Sequence, residues 1–241
     1  MEQDDETLLI ERHGTNMWVI LNRAAKANAM TVNMMERAAA AIEQAGKDPE
    51  INAIVLTGAG ERVFTAGVDV REKALDGDTA RQRERRSHAL AALQDAILDT
   101  PKPVVAALNG SAVGGGVMLA LLADACVATE SADISLPEID IGIATFSGAN
   151  ILTVAGGRAL AMDLIQSGRR LDAADACARG LLRAVVARSE LQPAADALAL
   201  LLGAKDPRVF ADNKRWLNRT MKAAIAEARK EHAIHRAKTT L

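Results

Sequence analysis

Two glycine-bearing stretches of this chain put backbone N–H groups where chemistry can use them. The first is Lys102-Pro-Val-Val-Ala-Ala-Leu-Asn-Gly-Ser-Ala-Val-Gly-Gly-Gly116, an apolar strand that meets three consecutive glycines and continues into the helix-like Val117-Met-Leu-Ala-Leu-Leu122. Glycine allows close approach to the backbone. The first-turn N–H groups of a helix have no internal partner and sit at its positive dipole end, so a partly negative ligand oxygen is favoured there. The second stretch is Ile54-Val-Leu-Thr-Gly-Ala-Gly-Glu-Arg-Val-Phe-Thr-Ala-Gly-Val-Asp-Val70, a β-branched run, a glycine turn and then Phe64-Thr-Ala-Gly-Val-Asp69. It can supply a second backbone donor.

Together the two stretches resemble the paired signature of the enoyl-CoA hydratase/isomerase family, the crotonase superfamily, whose two loops each donate a backbone N–H to an acyl-thioester oxygen. Three more segments extend the resemblance over most of the chain. Leu21-Asn-Arg-Ala-Ala-Lys-Ala-Asn-Ala-Met30 resembles the nucleotide-side loop, with Ala24 where proline is usual; Leu136-Pro-Glu-Ile-Asp-Ile-Gly142 resembles the catalytic segment; and Leu171 to Val186 resembles the segment that follows. The resemblance implies an α/β fold, a crotonase-like spiral of ββα units with a C-terminal helical region. It does not choose the reaction, because one scaffold hosts several chemistries.

By the same resemblance, the oxyanion donors are the N–H groups of Val68 and Gly115, with Ala66, Gly67, Asp69 and Gly114 shaping the two loops. Such a pair stabilises an enolate more than a neutral thioester carbonyl. Glu138 stands where the family carries its second catalytic glutamate, and a carboxylate beside an apolar acyl pocket has a raised pKa suited to moving protons. The departure is Met118, two residues after the last glycine, where two-glutamate hydratases carry their first glutamate. One carboxylate orients a water less well than two, whereas shuttling a proton between Cα and Cγ needs one base. Asp140 is a second carboxylate, but it shares a face with Glu138 only if the segment is extended. The substrate-binding candidates are Lys26 and Ala27 in the nucleotide-side loop, together with Ala66, Gly67, Asp69, Gly114, Met118 and Asp140.

Other residues have plainer readings. Asp69 orders its loop by hydrogen bonds. Arg81-Gln-Arg-Glu-Arg-Arg86 either meets coenzyme A phosphates or forms a solvated helix face. His88 is read as solvent-facing, and His232 and His235 as residues of an exposed C-terminal helix. Lys214 contacts the nucleotide or packs the C-terminal helices. Phe146 and Ser147 occupy a stretch where many relatives carry Pro-Gly, so the acyl pocket is reshaped. Cys126 and Cys177 are packing residues without zinc or disulfide spacing.

The elements that must hold these groups follow from composition and pattern. A chain of 241 residues with 49% hydrophobic content can bury a large core. A net charge of -2, 3 Phe, 2 Trp and no Tyr argue against a broadly basic or aromatic nucleic-acid surface. The acidic opening carries neither a signal nor a transit pattern, and no run reaches about 18 apolar residues; a cytoplasmic protein away from membranes is expected. Leu8 to Leu21 reads as two strands around Gly14, and Met35, Ala38, Ala39 and Ile42 form one helical face. Strands are predicted at 53–57, 104–108 and 125–129, with helices at 89–98, 117–124, 194–202 and 207–235. This rhythm implies a parallel sheet with covering helices. Residues 1–190 would form the spiral core, and 191–241 the C-terminal helices of the same domain, which in the family build trimers and help close the site.

The resulting expectation is an acyl-CoA enzyme that stabilises a thioester enolate and isomerises or hydrates an enoyl-CoA with Glu138 as the single base. Coenzyme A is then part of the substrate, with no separate cofactor or metal, and the assembly is a homotrimer or homohexamer. Alternatives are a carnitinyl-CoA dehydratase-like or carbon–carbon bond-forming reaction, a catalytically weak acyl-CoA-binding subunit, or an RNA-associated homologue.

Overall fold

The computed structural model describes residues 6–74 and 77–239, without the side chains of 236–239. A hairpin opens it: β1 (Leu8–His13) and β2 (Asn16–Leu21) pair antiparallel about a turn in which Gly14 takes a positive φ. Helix α1 (Val32–Lys47) follows, capped by Thr31, whose hydroxyl accepts the Met34 N–H at 3.3 Å. Its expected inner face of Met35, Ala38, Ala39 and Ile42 is buried.

Three units of two strands and a helix come next. They are β3 (Ala53–Gly58), β4 (Val63–Thr65) and α2 (Thr79–Asp99); β5 (Val104–Leu108), β6 (Ser111–Val113) and α3 (Gly115–Leu122); and β7 (Ala125–Thr129), β8 (Asp133–Ser135) and α4 (Phe146–Gly156). Then follow α5 (Arg158–Ser167), β9 (Leu171–Asp172), α6 (Ala173–Ala178), β10 (Ala184–Val186), α7 (Leu191–Gly203), α8 (Pro207–Leu217) and α9 (Arg219–Thr239). The first strand of each unit enters a six-stranded sheet of order β1-β2-β3-β5-β7-β10, and the second a four-stranded sheet of order β4-β6-β8-β9. Each unit thus advances one strand in both sheets, which makes the chain a spiral. Sequence periodicity does not reveal this, because β4, β6 and β8 are three residues long and too short to carry a pattern.

The six-stranded sheet is covered on both faces, which explains its continuously apolar strands. Along β3, Ile54 and Leu56 enter the main core, while Ala53 and Val55 join Trp18, Val105, Ala107 and Val127 beneath Leu191, Ala195 and Leu198 of α7. Alternate residues face opposite sides of a strand, so both sets must be apolar.

Four of the expected helices differ from the sequence reading, among them α7, which runs Leu191–Gly203 rather than 194–202. Helix α2 begins at Thr79 rather than residue 89, since Asp78 caps the Ala80 and Arg81 N–H groups and starts a charged, solvated segment that apolar periodicity misses. Helix α3 begins at Gly115 rather than Val117, because Gly114 turns the chain at φ +54°. The expected helix at 207–235 divides at Asn218, whose side-chain amide donates to Leu98 O at 3.2 Å. Among the described residues, no helix is long and apolar enough to cross a membrane.

Candidate active site

The end of β4 and the start of α3 meet edge to edge. The loop after β4 is tied to Met30 by two bonds, Met30 N–H to Gly67 O and Asp69 N–H to Met30 O, both 2.8 Å. In this parallel bridge the Val68 N–H lies outside the pairing. Gly115, first residue of α3, has no acceptor within its own helix. The two segments nearly touch: a β-carbon on Gly67, at φ +85°, would lie 3.0 Å from the Gly115 nitrogen and 2.8 Å from Val113 O. A β-carbon on Gly115 would lie 3.6 Å from the Val68 nitrogen. The loops expected from sequence are therefore neighbours, with Val68 and Gly115 lining one cleft. Gly114 is held by its N–H to Ser135 O at 2.8 Å.

Glu138 reaches this place from a 3₁₀ turn, Pro137–Ile141, closed by Gly142 at φ +69°. A β-carbon on Gly114 would lie 3.0 Å from Glu138 Oε1, so the carboxyl group packs directly on the glycine turn. Its Oε2 is out of contact with water and has no hydrogen-bond partner among the described residues. Burial pushes the Glu138 carboxyl above its ordinary range, against opposing hydrogen bonds from its own N–H and the Thr145 hydroxyl. Asp140 does not join it. The segment is a turn, not a strand, and Asp140 is exposed at the cleft margin with its carboxylate against Gly168 at the end of α5.

The cleft has a volume of about 690 Å³ and is mainly apolar. Met118, 6% exposed, forms part of its wall with Ser147 and Thr145. His88 also lines it, so the reading of this histidine as merely solvent-facing is corrected: it is exposed, yet it faces the cleft mouth. From α9, Arg229 and His232 close the far side. His232 and His235 both stand edge-on to Phe146, with ring centroids 4.9 and 5.6 Å away.

A second cleft, of about 1070 Å³, adjoins the first and shares Ala66, Val68 and Val70 with it. Its walls carry Lys26, Ala27, Arg62, Arg71 and Lys73. Ala27 takes φ +52°, which turns the Arg23–Met30 loop over the cleft. Asp69 accepts from Arg23 Nη1 at 2.7 Å and from the Arg71 N–H at 3.0 Å, so it orders its loop as expected. Partial burial raises its pKa, but Arg23, the Arg71 N–H and Arg86 outweigh this and hold it below its ordinary value.

Two basic candidates are elsewhere. The Arg81–Arg86 cluster lines neither cleft; its last member donates to Asp69 O at 3.1 Å and so braces the Asp69 loop from behind. Lys214 is buried, donates to Asp124 Oδ2 at 2.6 Å and Lys102 O at 3.0 Å, and fastens α8 to the sheet rather than reaching a nucleotide.

Sequence reasoning missed Gln94, Thr145 and Arg229. Gln94 had a readable signal: Leu90, Leu93, Gln94 and Ile97 follow i, i+3, i+4, i+7 spacing, with a polar residue inside an apolar stripe. Arg229 had none, because only the packing of α9 brings it to α2.

Comparison with known proteins gives a family to this geometry. The family model described as Enoyl-CoA hydratase/isomerase matches residues 12–240. The chain is 35% identical over 227 residues to the Rhizobium meliloti protein named "Probable enoyl-CoA hydratase", covering 92% of this chain and 85% of that one. It is also 35% identical over 223 residues to the carnitinyl-CoA dehydratase of Salmonella enteritidis, covering 92% and 84%. The crystal structure of an enoyl-CoA hydratase from Mycobacterium avium subsp. paratuberculosis superposes with a TM-score of 0.83 at 30% identity, covering 93% of this chain and 90% of that one. This chain, with its spiral of ββα units, belongs to the enoyl-CoA hydratase/isomerase family and is an enzyme of the crotonase type acting on acyl-CoA.

Proposed function

We propose that this enzyme moves a double bond in an enoyl-CoA, with Glu138 as its one acid–base group. The thioester oxygen accepts the N–H groups of Val68 and Gly115. Glu138 takes the Cα proton of a 3-enoyl thioester, the electron pair delocalises onto the thioester oxygen as a dienolate, and the same carboxyl returns the proton to Cγ. The 3-enoyl ester becomes a 2-enoyl ester, with no atom gained or lost and no metal or redox cofactor needed. Lys26, Ala27 and the other walls of the larger cleft hold the coenzyme A portion, while Ala66, Gly67, Gly114 and Asp69 fix the two donor loops.

The observation that carries this reading is Met118, an apolar and buried wall residue at the position of the first glutamate in two-glutamate hydratases. Among the described residues two carboxyl groups line the cleft, and the exposure of Asp140 supports Glu138 as the one that moves the proton. The relative named as a carnitinyl-CoA dehydratase supports a second reading, elimination or addition of water by the same glutamate.

Incubation of wild type and Glu138→Gln with 3-hexenoyl-CoA and, separately, with 2-hexenoyl-CoA, followed by absorbance of the conjugated thioester and by product mass, separates the two. Wild type should give an unhydrated 2-hexenoyl ester and the variant none. From 2-hexenoyl-CoA, a product heavier by one water supports the second reading, and turnover of neither bound ester contradicts both.

We also propose a homotrimer or a dimer of trimers, supported by Leu200, Leu201, Val209, Trp216 and Leu217, which the C-terminal helices leave 49 to 73% exposed. Light scattering should give a mass that is a multiple of three protomers; a monomer contradicts it.

A further inference from the structure

The acyl cleft contains a polar device that proton transfer at Glu138 does not use. Gln94, on the inner face of α2, is 2% exposed and lines the cleft. Its orientation is fixed from α9. Arg229 makes a two-point pair with Asp95, Nη1 to Oδ2 and Nη2 to Oδ1, both 2.9 Å, and its Nη2 also donates to Gln94 Oε1 at 3.1 Å. A guanidinium can only donate, so the atom it meets must be the amide oxygen. The NH2 group is thereby turned the other way, towards Met118.

There it is poorly matched. Among the described residues the acceptor offered to Gln94 Nε2 is the Met118 sulfur at 3.6 Å, and a thioether is a weak acceptor. A buried amide with two N–H groups and one weak partner is costly unless something else completes it. The same cleft also offers hydrocarbon surface, from Leu90, Ala91, Met118 and Ile143. A site built in this way favours an acyl group with an oxygen at the right place over one without it, since the unsubstituted chain leaves the N–H groups unpaired.

We propose that Gln94 is a specificity-determining residue, held by Arg229 so that its amide N–H groups bind an oxygen substituent, hydroxyl or carbonyl, on the acyl chain of the substrate. The substrate class is then oxygenated acyl thioesters. Asp95 neutralises Arg229, so a neutral oxygen is preferred to a carboxylate. This inference rests on the acyl-thioester reading of the cleft.

The test measures dissociation constants by calorimetry for butanoyl-CoA, 3-hydroxybutanoyl-CoA, 4-hydroxybutanoyl-CoA and 3-oxobutanoyl-CoA. Wild type should bind at least one oxygenated ester about 10-fold more tightly than butanoyl-CoA, corresponding to about 1.4 kcal/mol. Gln94→Met and Gln94→Leu keep most of the side-chain volume while removing the donors; in whichever variant folds like wild type, the preference should fall below about 2-fold while butanoyl-CoA binding is retained. Equal binding of all four esters by wild type overturns the proposal, as does a preference that survives in a folded variant. Binding of none of the esters would instead overturn the acyl-thioester reading itself.

Discussion

The two clefts that meet at Val68 are made by opposite means. The acyl cleft uses groups whose positions are imposed: N–H groups fixed by a strand end and a helix start, a Glu138 carboxyl pressed on Gly114, and a Gln94 amide held by Arg229. The larger cleft uses Lys26, Arg62, Arg71 and Lys73, long cationic side chains that are all exposed. Buried, preorganised dipoles act strongly on charge developing in a transition state. Exposed charges act weakly and are screened by salt. On the proposed function, chemistry belongs to the first cleft, and affinity with salt dependence to the second.

Substitutions can break this division or sharpen it. The largest effect is expected at Glu138. Glu138→Gln should lower kcat by about 10²- to 10⁴-fold with little change in KM, the usual worth of a positioned acid–base group; steady-state kinetics on 3-hexenoyl-CoA reads it, and a change confined to KM would move Glu138 out of the chemistry. Gly67→Ala comes next. Its new β-carbon would press on Val113 O and the Gly115 nitrogen, at a φ that side chains rarely adopt. Displacing one donor should cost about 10²- to 10³-fold in kcat.

A pH profile gives a smaller but more specific signal. Burial raises the Glu138 pKa and the Thr145 hydroxyl, by stabilising the charged form, opposes that rise. The base must be deprotonated to act, so activity should fall as pH drops through this raised value. Thr145→Val removes the opposing hydrogen bond, and the acid limb should move to higher pH; a limb that stays in place would show that it reports another group. The smallest effect is expected from Lys26→Ala, which should raise KM for the coenzyme A ester about 2- to 5-fold at low salt, a difference that disappears as salt increases.

Legibility in the sequence divides along the same line. Backbone features were readable: the glycine run before Val117 and the Ala66-Gly67-Val68-Asp69 loop have local signatures, because tight turns need particular residues at particular places. The long strands and the α1 face were readable from apolar spacing. The short strands β4, β6 and β8 were not, and neither was the start of α2, where an Asp78 cap rather than hydrophobicity begins the helix. Long-range side-chain partnerships were the least visible. Nothing near Arg229 in the chain points to Asp95 and Gln94, 134 and 135 residues away. Lys214 could be read as a nucleotide contact until folding placed it against Asp124.

The central claim is that Glu138 forms an enolate beneath the Val68 and Gly115 N–H groups, and exchange of the α-protons of butanoyl-CoA in heavy water tests it most directly. The saturated ester can neither isomerise nor hydrate, so exchange isolates the proton-transfer step. Mass spectrometry should find deuterium at Cα with wild type and none above background with Glu138→Gln, while both proteins bind the ester. Undiminished exchange in the variant, or no exchange by wild type that binds the ester, would contradict the account.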